Sequence, residues 1–187
     1  MSSLGKDYLS TVTKRLKYYK DLGDKTFEQL NDWDLHYQPN EESNSIAIIV
    51  QHMTGNMLSR WTNFLTEDGE KEWRNRDAEF ATKGSFGETG QQTKKELLDV
   101  WEKGWACFFG TLETLKKKHL KKSITIRNEK LTVVDAINRQ LAHYPYHIGQ
   151  IIYIAKIIRS KGWKNLSIPK GESQVYNAAA ETKEPAK

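Results

Sequence analysis

The chain has 187 residues, 37% of them hydrophobic and 28% charged, and its 29 basic and 24 acidic side chains leave a net charge of +5. This length suits one domain with a substantial core and is short for two, and the lack of an apolar run of about 20 residues argues against a membrane span. The single cysteine, Cys107, rules out an internal disulfide and fits a reducing compartment.

The amino-terminal stretch MSSLGKDYLSTVTKRLKYYK is charged early and lacks the apolar core of a signal peptide, so the expected location is the cytoplasm. From about Ser3 to Gly23, Leu4, Tyr8, Val12, Leu16 and Tyr19 recur near helical spacing and predict an amphipathic helix. A polar stretch with Trp33 and Pro39 follows. A second helix is expected to begin near Ser43, with Asn44 or Ser45 as its N-cap. Its stripe of Ile46, Val50, Met53, Met57, Trp61 and Phe64, widened by Ile48 and Ile49, predicts deep burial.

Residues 66–91 carry charges and four glycines without periodicity. A connection this long in one domain is usually functional or mobile. The third helix opens on Thr93 and Glu96 in capping-box spacing and runs through Trp101, Trp105 and Phe108 toward Leu115, supplying an aromatic core. The basic run KKKHLKK at 116–122 falls at its end, where lysines complement the helix dipole. No nucleic-acid signature surrounds that run, so nucleic acid is not an expected partner.

The stretch SITIRNEKLTV predicts a short hairpin. A fourth long helix follows from Val133, after Thr132 and Asp135 in box-like spacing, to about Ser160. Residues 178–187 are expected to form a disordered tail, leaving 1–177 as the single domain. Four long helices, one long crossover connection and no internal repeat predict an all-α, antiparallel four-helix bundle.

Chemistry concentrates on the fourth helix. Asp135, Arg139, His143 and His147 recur every four residues and form a polar stripe beside Ile137, Leu141, Ile148, Ile151 and Ile154. An HxxxH pair can face one metal ion, yet alone it more often marks satisfied histidines. His52 adds a third imidazole from the buried second helix. If the second and fourth helices are neighbours, the three can meet and leave coordination positions open, the arrangement of a catalytic rather than a structural site.

The other histidines, His36 and His119, receive no role. Pro145 sits between His143 and His147, where it removes a backbone donor. Either a bend there adjusts the angle between the imidazoles, or packing relieves an incidental kink. Arg139 and Gln150 are candidates for orienting the ligands or touching substrate, or else for satisfying Asp135 and backbone groups. Trp73, Arg74, Arg76 and Asp77 fit an anion-binding lid or, more economically, a solvated loop with an internal Arg–Asp pair. Arg60 and Trp61 share that ambiguity. Cys107, between Ala106 and Phe108, is expected to be buried and inert.

The segments NSIAIIVQHMTGNMLSRW, EDGEKEWRNRDAEF, RQLAHYPYHIGQI and LSIPKGES together resemble the DinB/YfiT-like superfamily, in an uncharacterised bacterial branch, and the resemblance extends to about residue 177. It implies a four-helix bundle in which His52, His143 and His147 hold a divalent metal, often with a water completing the shell. It further implies a homodimer, and, as in some members, transfer of a low-molecular-weight thiol to an electrophile through a metal-bound thiolate. The expected ion is zinc or nickel, with iron or manganese as the other fits. The function so expected is small-molecule chemistry of a thiol transferase or hydrolase type, in stress or detoxification. The alternative is a non-catalytic dimeric module whose metal is structural or absent.

Overall fold

Helix α1, Leu4–Phe27, buries Val12, Leu16 and Phe27 and keeps Lys6, Lys14 and Lys17 exposed. It runs past Gly23, its expected end, because Gly23 is a packing position. A Cβ there would lie 2.7 Å from Trp101 Cζ2. The structure, a computed structural model, describes residues 4–81 and 92–181.

The polar stretch after α1 contains a one-turn helix, α2 (Asp32–His36), whose Asn31 and Asp34 form a reciprocal capping box. Helix α3, Ile46–Trp61, starts on Ser45, whose hydroxyl accepts from the Ile48 N–H. It is buried on nearly every side, which a helix does only when other elements cover it all round.

The 66–91 connection is ordered in its first part. Gly69 N–H donates to Thr125 O at 2.8 Å, and a five-residue helix, α4 (Arg76–Phe80), follows an Asn75 cap. The rest, 82–91, lies outside the described residues. Helix α5, Lys94–Thr114, begins with the expected Thr93–Glu96 capping box. Strands β1 (Ser123–Ile126) and β2 (Glu129–Thr132) form the hairpin, with Arg127 and Asn128 at positive φ in its two-residue turn.

Helix α6, Val133–Arg159, is capped by Thr132 and continues through Pro145. Helix α7, Ser173–Glu181, extends into the stretch expected to be disordered, and residues 182–187 lie outside the described ones.

Among the described residues the chain is thus predominantly helical with one two-stranded sheet. Helix α3 lies along α5 and α1 along α6, while α3 also meets α6 and α1 meets α5. Gly104 sets the α3–α5 approach, since a Cβ there would sit 3.1 Å from Thr54 Cα. Trp61 and Phe108 meet on that side in edge-to-face contact at 4.7 Å between centroids, while Trp101 packs on Gly23 and Phe27 of α1 and Trp105 on Tyr144 of α6. Cys107 is half-buried beside Thr62, more open than expected. No helix among the described residues is long and apolar enough to cross a membrane.

Candidate metal centre

The contact between α3 and α6 brings His52, His143 and His147 together. Helix geometry accounts for two of them: residues four apart share a face, so His143 and His147 project side by side from α6. The buried Tyr144 fixes that stretch of α6 from behind. Its hydroxyl donates to Asn56 Oδ1 at 3.1 Å and accepts from Trp61 Nε1 at 3.0 Å, tying α6 to α3 one turn from His52. The continuity of α6 through Pro145 leaves the Leu141 carbonyl without its usual helical donor.

The three imidazoles present one ligand nitrogen each, all within 4.8 Å of one another. His143 Nε2 lies 3.4 Å from His52 Nε2 and 2.9 Å from His147 Nε2. Two donors about 2.0–2.1 Å from one tetrahedral ion lie roughly 3.4 Å apart, so the spacing suits a shared ion.

The opposite ring nitrogens decide the tautomers. His52 Nδ1 donates to Glu79 Oε2 at 3.0 Å, His147 Nδ1 to Gln150 Oε1 at 2.8 Å, and His143 Nδ1 to Gln140 Oε1 at 3.3 Å. Each Nδ1 therefore carries the proton, and three Nε2 lone pairs converge on one point. Lone pairs so close repel unless something electropositive stands among them. The donor set thus fits a divalent cation that accepts imidazole.

Electrostatics point the same way. Burial, aided by His147, His52, Arg139 and Arg60, pushes His143 down to about 3. Burial also holds His147 below its ordinary range, against the Gln150 hydrogen bond. Both rings are neutral near pH 7, as metal ligands must be.

Glu79 was not foreseen from the sequence. It comes from α4, and Arg74 grips it through Nε to Oε1 at 2.7 Å and Nη2 to Oε2 at 2.9 Å. Burial would raise this carboxyl, but the donors His52 and Arg74 outweigh it and hold it below its usual range. Gly55 makes room, because a Cβ there would overlap Glu79 Oε1. Phe80 packs on the His52 ring at 5.0 Å between centroids. The first part of the connection is therefore a wall of the centre. The expected Arg–Asp pair is replaced by Arg74–Glu79, with Glu70 also 3.7 Å from Arg74.

Gln150, open to several roles in the sequence, lies against His147 Nδ1. Arg139 lines the same cavity as His52 and His143, and its ion-pair partner is Glu129, 3.9 Å away. The neighbouring Gln140, buried and three residues before His143, does the orienting, and its helical spacing is the signal that could have revealed it. His36 meets the Gln92 carbonyl, and His119 accepts from the Lys116 N–H, so neither joins the cluster.

His52 and His143 open onto a cavity of about 270 Å³, lined also by Asn56, Gln140 and five arginines: Arg60, Arg74, Arg76, Arg127 and Arg139. Comparison with curated proteins and with solved structures returns no match. The family described as "Protein of unknown function (DUF1572)" matches residues 3–172, which takes in every element of the centre. The chain belongs to that family of uncharacterised proteins.

Proposed function

We propose that the chain is a DinB-like four-helix bundle, built on α1, α3, α5 and α6, that binds a divalent metal ion through His52, His143 and His147 for small-molecule chemistry. The observation that carries this is the convergence of three Nε2 lone pairs, each enforced by an acceptor behind Nδ1. Zinc or nickel fits the imidazole donors best, and iron or manganese also fit. When bound, such an ion lowers the pKa of a thiol or water beside it and so supplies a nucleophile near neutral pH.

The chain's own residues do the rest. Glu79, Gln140 and Gln150 fix the rings, and the open cavity beside His52 and His143 admits the reactant. Thiol transfer to an electrophile, or hydrolysis, in cytoplasmic stress or detoxification is the activity proposed, with a low-molecular-weight thiol as cosubstrate. Cys107 is not that thiol, since it lines a different surface depression beside Thr62 and Thr111. A homodimer belongs to the same reading and is supported by an exposed stripe of Tyr146, Tyr153 and Ile157 along α6.

A second reading, a non-catalytic module, draws on one observation. Among the described residues no carboxylate lines the cavity, and Glu79 is engaged by His52 and Arg74 instead of standing free as a general base. Metal content after mild purification separates the possibilities when measured with His52→Ala, His143→Ala and His147→Ala. About one ion per chain in the wild type and a large loss in each variant is the expected result, and full occupancy in all three would sink the metal assignment. Turnover of thiol plus electrophile by the loaded protein then distinguishes enzyme from module.

A further inference from the structure

The five guanidiniums around the histidine cavity come from separate parts of the chain. Arg60 lies on the face of α3 that carries His52 and Asn56, at four-residue spacing. Arg139 comes from α6, Arg76 from α4, Arg74 from the segment before it, and Arg127 from the hairpin turn. Gathering like charges around one small cavity is costly unless other charges balance them.

Among the described residues the balance is partial. Glu70 accepts from Arg60 at 2.6 Å and from Arg127 at 3.1 Å, and Glu79 takes Arg74. These two carboxylates stand behind the arginines, not in the lining. The Arg139–Glu129 approach of 3.9 Å is between exposed side chains and contributes little. Arg76 lies over the Phe80 ring, 4.9 Å from its centroid. Arg60 and Arg74 are buried and fixed, whereas Arg76, Arg127 and Arg139 are exposed at the rim.

We infer that this cavity binds the anionic group of a small acidic ligand, a carboxylate or phosphate, and so presents the rest of that molecule to the histidine centre. The inference rests on the proposed metal site for what happens at the histidines, but not for the anion site itself. Planar guanidinium forks match both carboxylate and phosphate oxygens. The cavity volume of about 270 Å³ suits one such group with a short organic remainder and is too small for a polymer backbone.

The test is calorimetric titration of the full chain with succinate and with inorganic phosphate. Each is run before and after chelation, on the wild type, on Arg76→Gln/Arg139→Gln, on Arg127→Gln, and on Lys116→Gln/Lys118→Gln as a control for general basicity. Metal content is recorded separately for each protein.

Binding of at least one anion is expected to survive chelation and to weaken as salt rises. It should fall roughly tenfold or more for each rim arginine removed, the effect of losing a charged hydrogen bond, and stay unchanged in the lysine control. The more tightly bound of the two anions assigns the group. The inference is overturned if neither anion binds the wild type at physiological salt, if both arginine variants bind as tightly as the wild type, or if binding disappears with the metal. Arginine-dependent binding in a protein that never carries metal would refute the metal assignment and leave the anion site standing. Full metal with arginine-independent binding would do the reverse.

Discussion

Helix α3 faces two interfaces of opposite character. Toward α5 it is mainly apolar and aromatic. Trp61 and Phe108 pack edge-to-face, Gly104 lets the backbones close, and Trp105 of α5 has its Nε1 buried without a hydrogen-bond partner among the described residues. Toward α6 it is polar, and there His52, Asn56, Gln140, Tyr144, His143 and His147 form a network in which each ring Nδ1 and the Tyr144 hydroxyl have partners. The difference shows how one helix divides its labour. The apolar side can tolerate an orphan donor because surface burial carries the stability, whereas in a polar network near a low-dielectric core each unsatisfied group is costly, a cost that a cation among the three Nε2 atoms would relieve.

Removing Phe108 should test the aromatic side most directly, although its ring also meets Tyr144 at 5.4 Å between centroids. It is fully buried in the aromatic stack, so Phe108→Ala should cost about 3–5 kcal/mol of unfolding free energy. Metal affinity of the protein that remains folded should be unchanged. Denaturant unfolding with a parallel metal titration checks both halves, and a matching loss of metal affinity would mean that the two interfaces are not separable.

The polar side should reveal itself through pH. His143 and His147 have depressed pKa values in the folded protein, so below about pH 6.5 the unfolded chain takes up protons that the native state refuses. Stability of the chelated protein should therefore fall as pH drops from about 6.5 to 5, by up to about 1.4 kcal/mol per unit for each imidazole. Carboxylates stay largely ionised in that window. His143→Ala should flatten the slope, and Phe108→Ala should leave it as it is. An identical slope in His143→Ala would show that this ring is not held neutral by folding.

The two sides also differed in how openly the sequence declared them. The burial of Trp61 on α3 and of Trp101, Trp105 and Phe108 on α5 could be read directly, because burial follows from apolar residues at helical spacing. The His143–His147 pair was legible for the same reason, being local to one helix. Its junction with His52 depended on which helices are neighbours, and spacing within a helix does not encode that. Glu79 was hidden further, since it reaches His52 from 27 residues away through a segment with no periodicity. Only side-chain length, Gly55 and the Arg74 grip place it there. Short capped elements such as α2 and α4 were missed because one turn is too little for a periodic signal.

That long-range contact can be cut without touching a ligand. Glu79→Gln keeps an acceptor for His52 Nδ1 but removes the charge that polarises the ring and balances Arg74, whose side chain is only 2% exposed. Metal affinity should drop about 10–100-fold, the usual consequence of losing a partner behind a ligating histidine. Titration against a chelator of known affinity measures it. An unchanged affinity would reduce Glu79 to a structural counter-ion for Arg74.

The smallest change should come from Gly55→Ala, and it discriminates most finely. The new methyl would collide with Glu79 Oε1, the end of a flexible side chain, so the backbone of α3 need not move. Alanine also favours helix over glycine by about 1 kcal/mol, so stability should hold or rise slightly. Metal affinity should nonetheless fall about tenfold, toward the lower end of the Glu79→Gln range, because the carboxylate can no longer sit against His52. A pair of measurements moving in opposite directions, thermal stability up and metal affinity down, is what a contact serving the histidine centre predicts. Both moving down together would mean that Glu79 holds α4 onto α3 as part of the fold, and that its hydrogen bond to His52 is incidental.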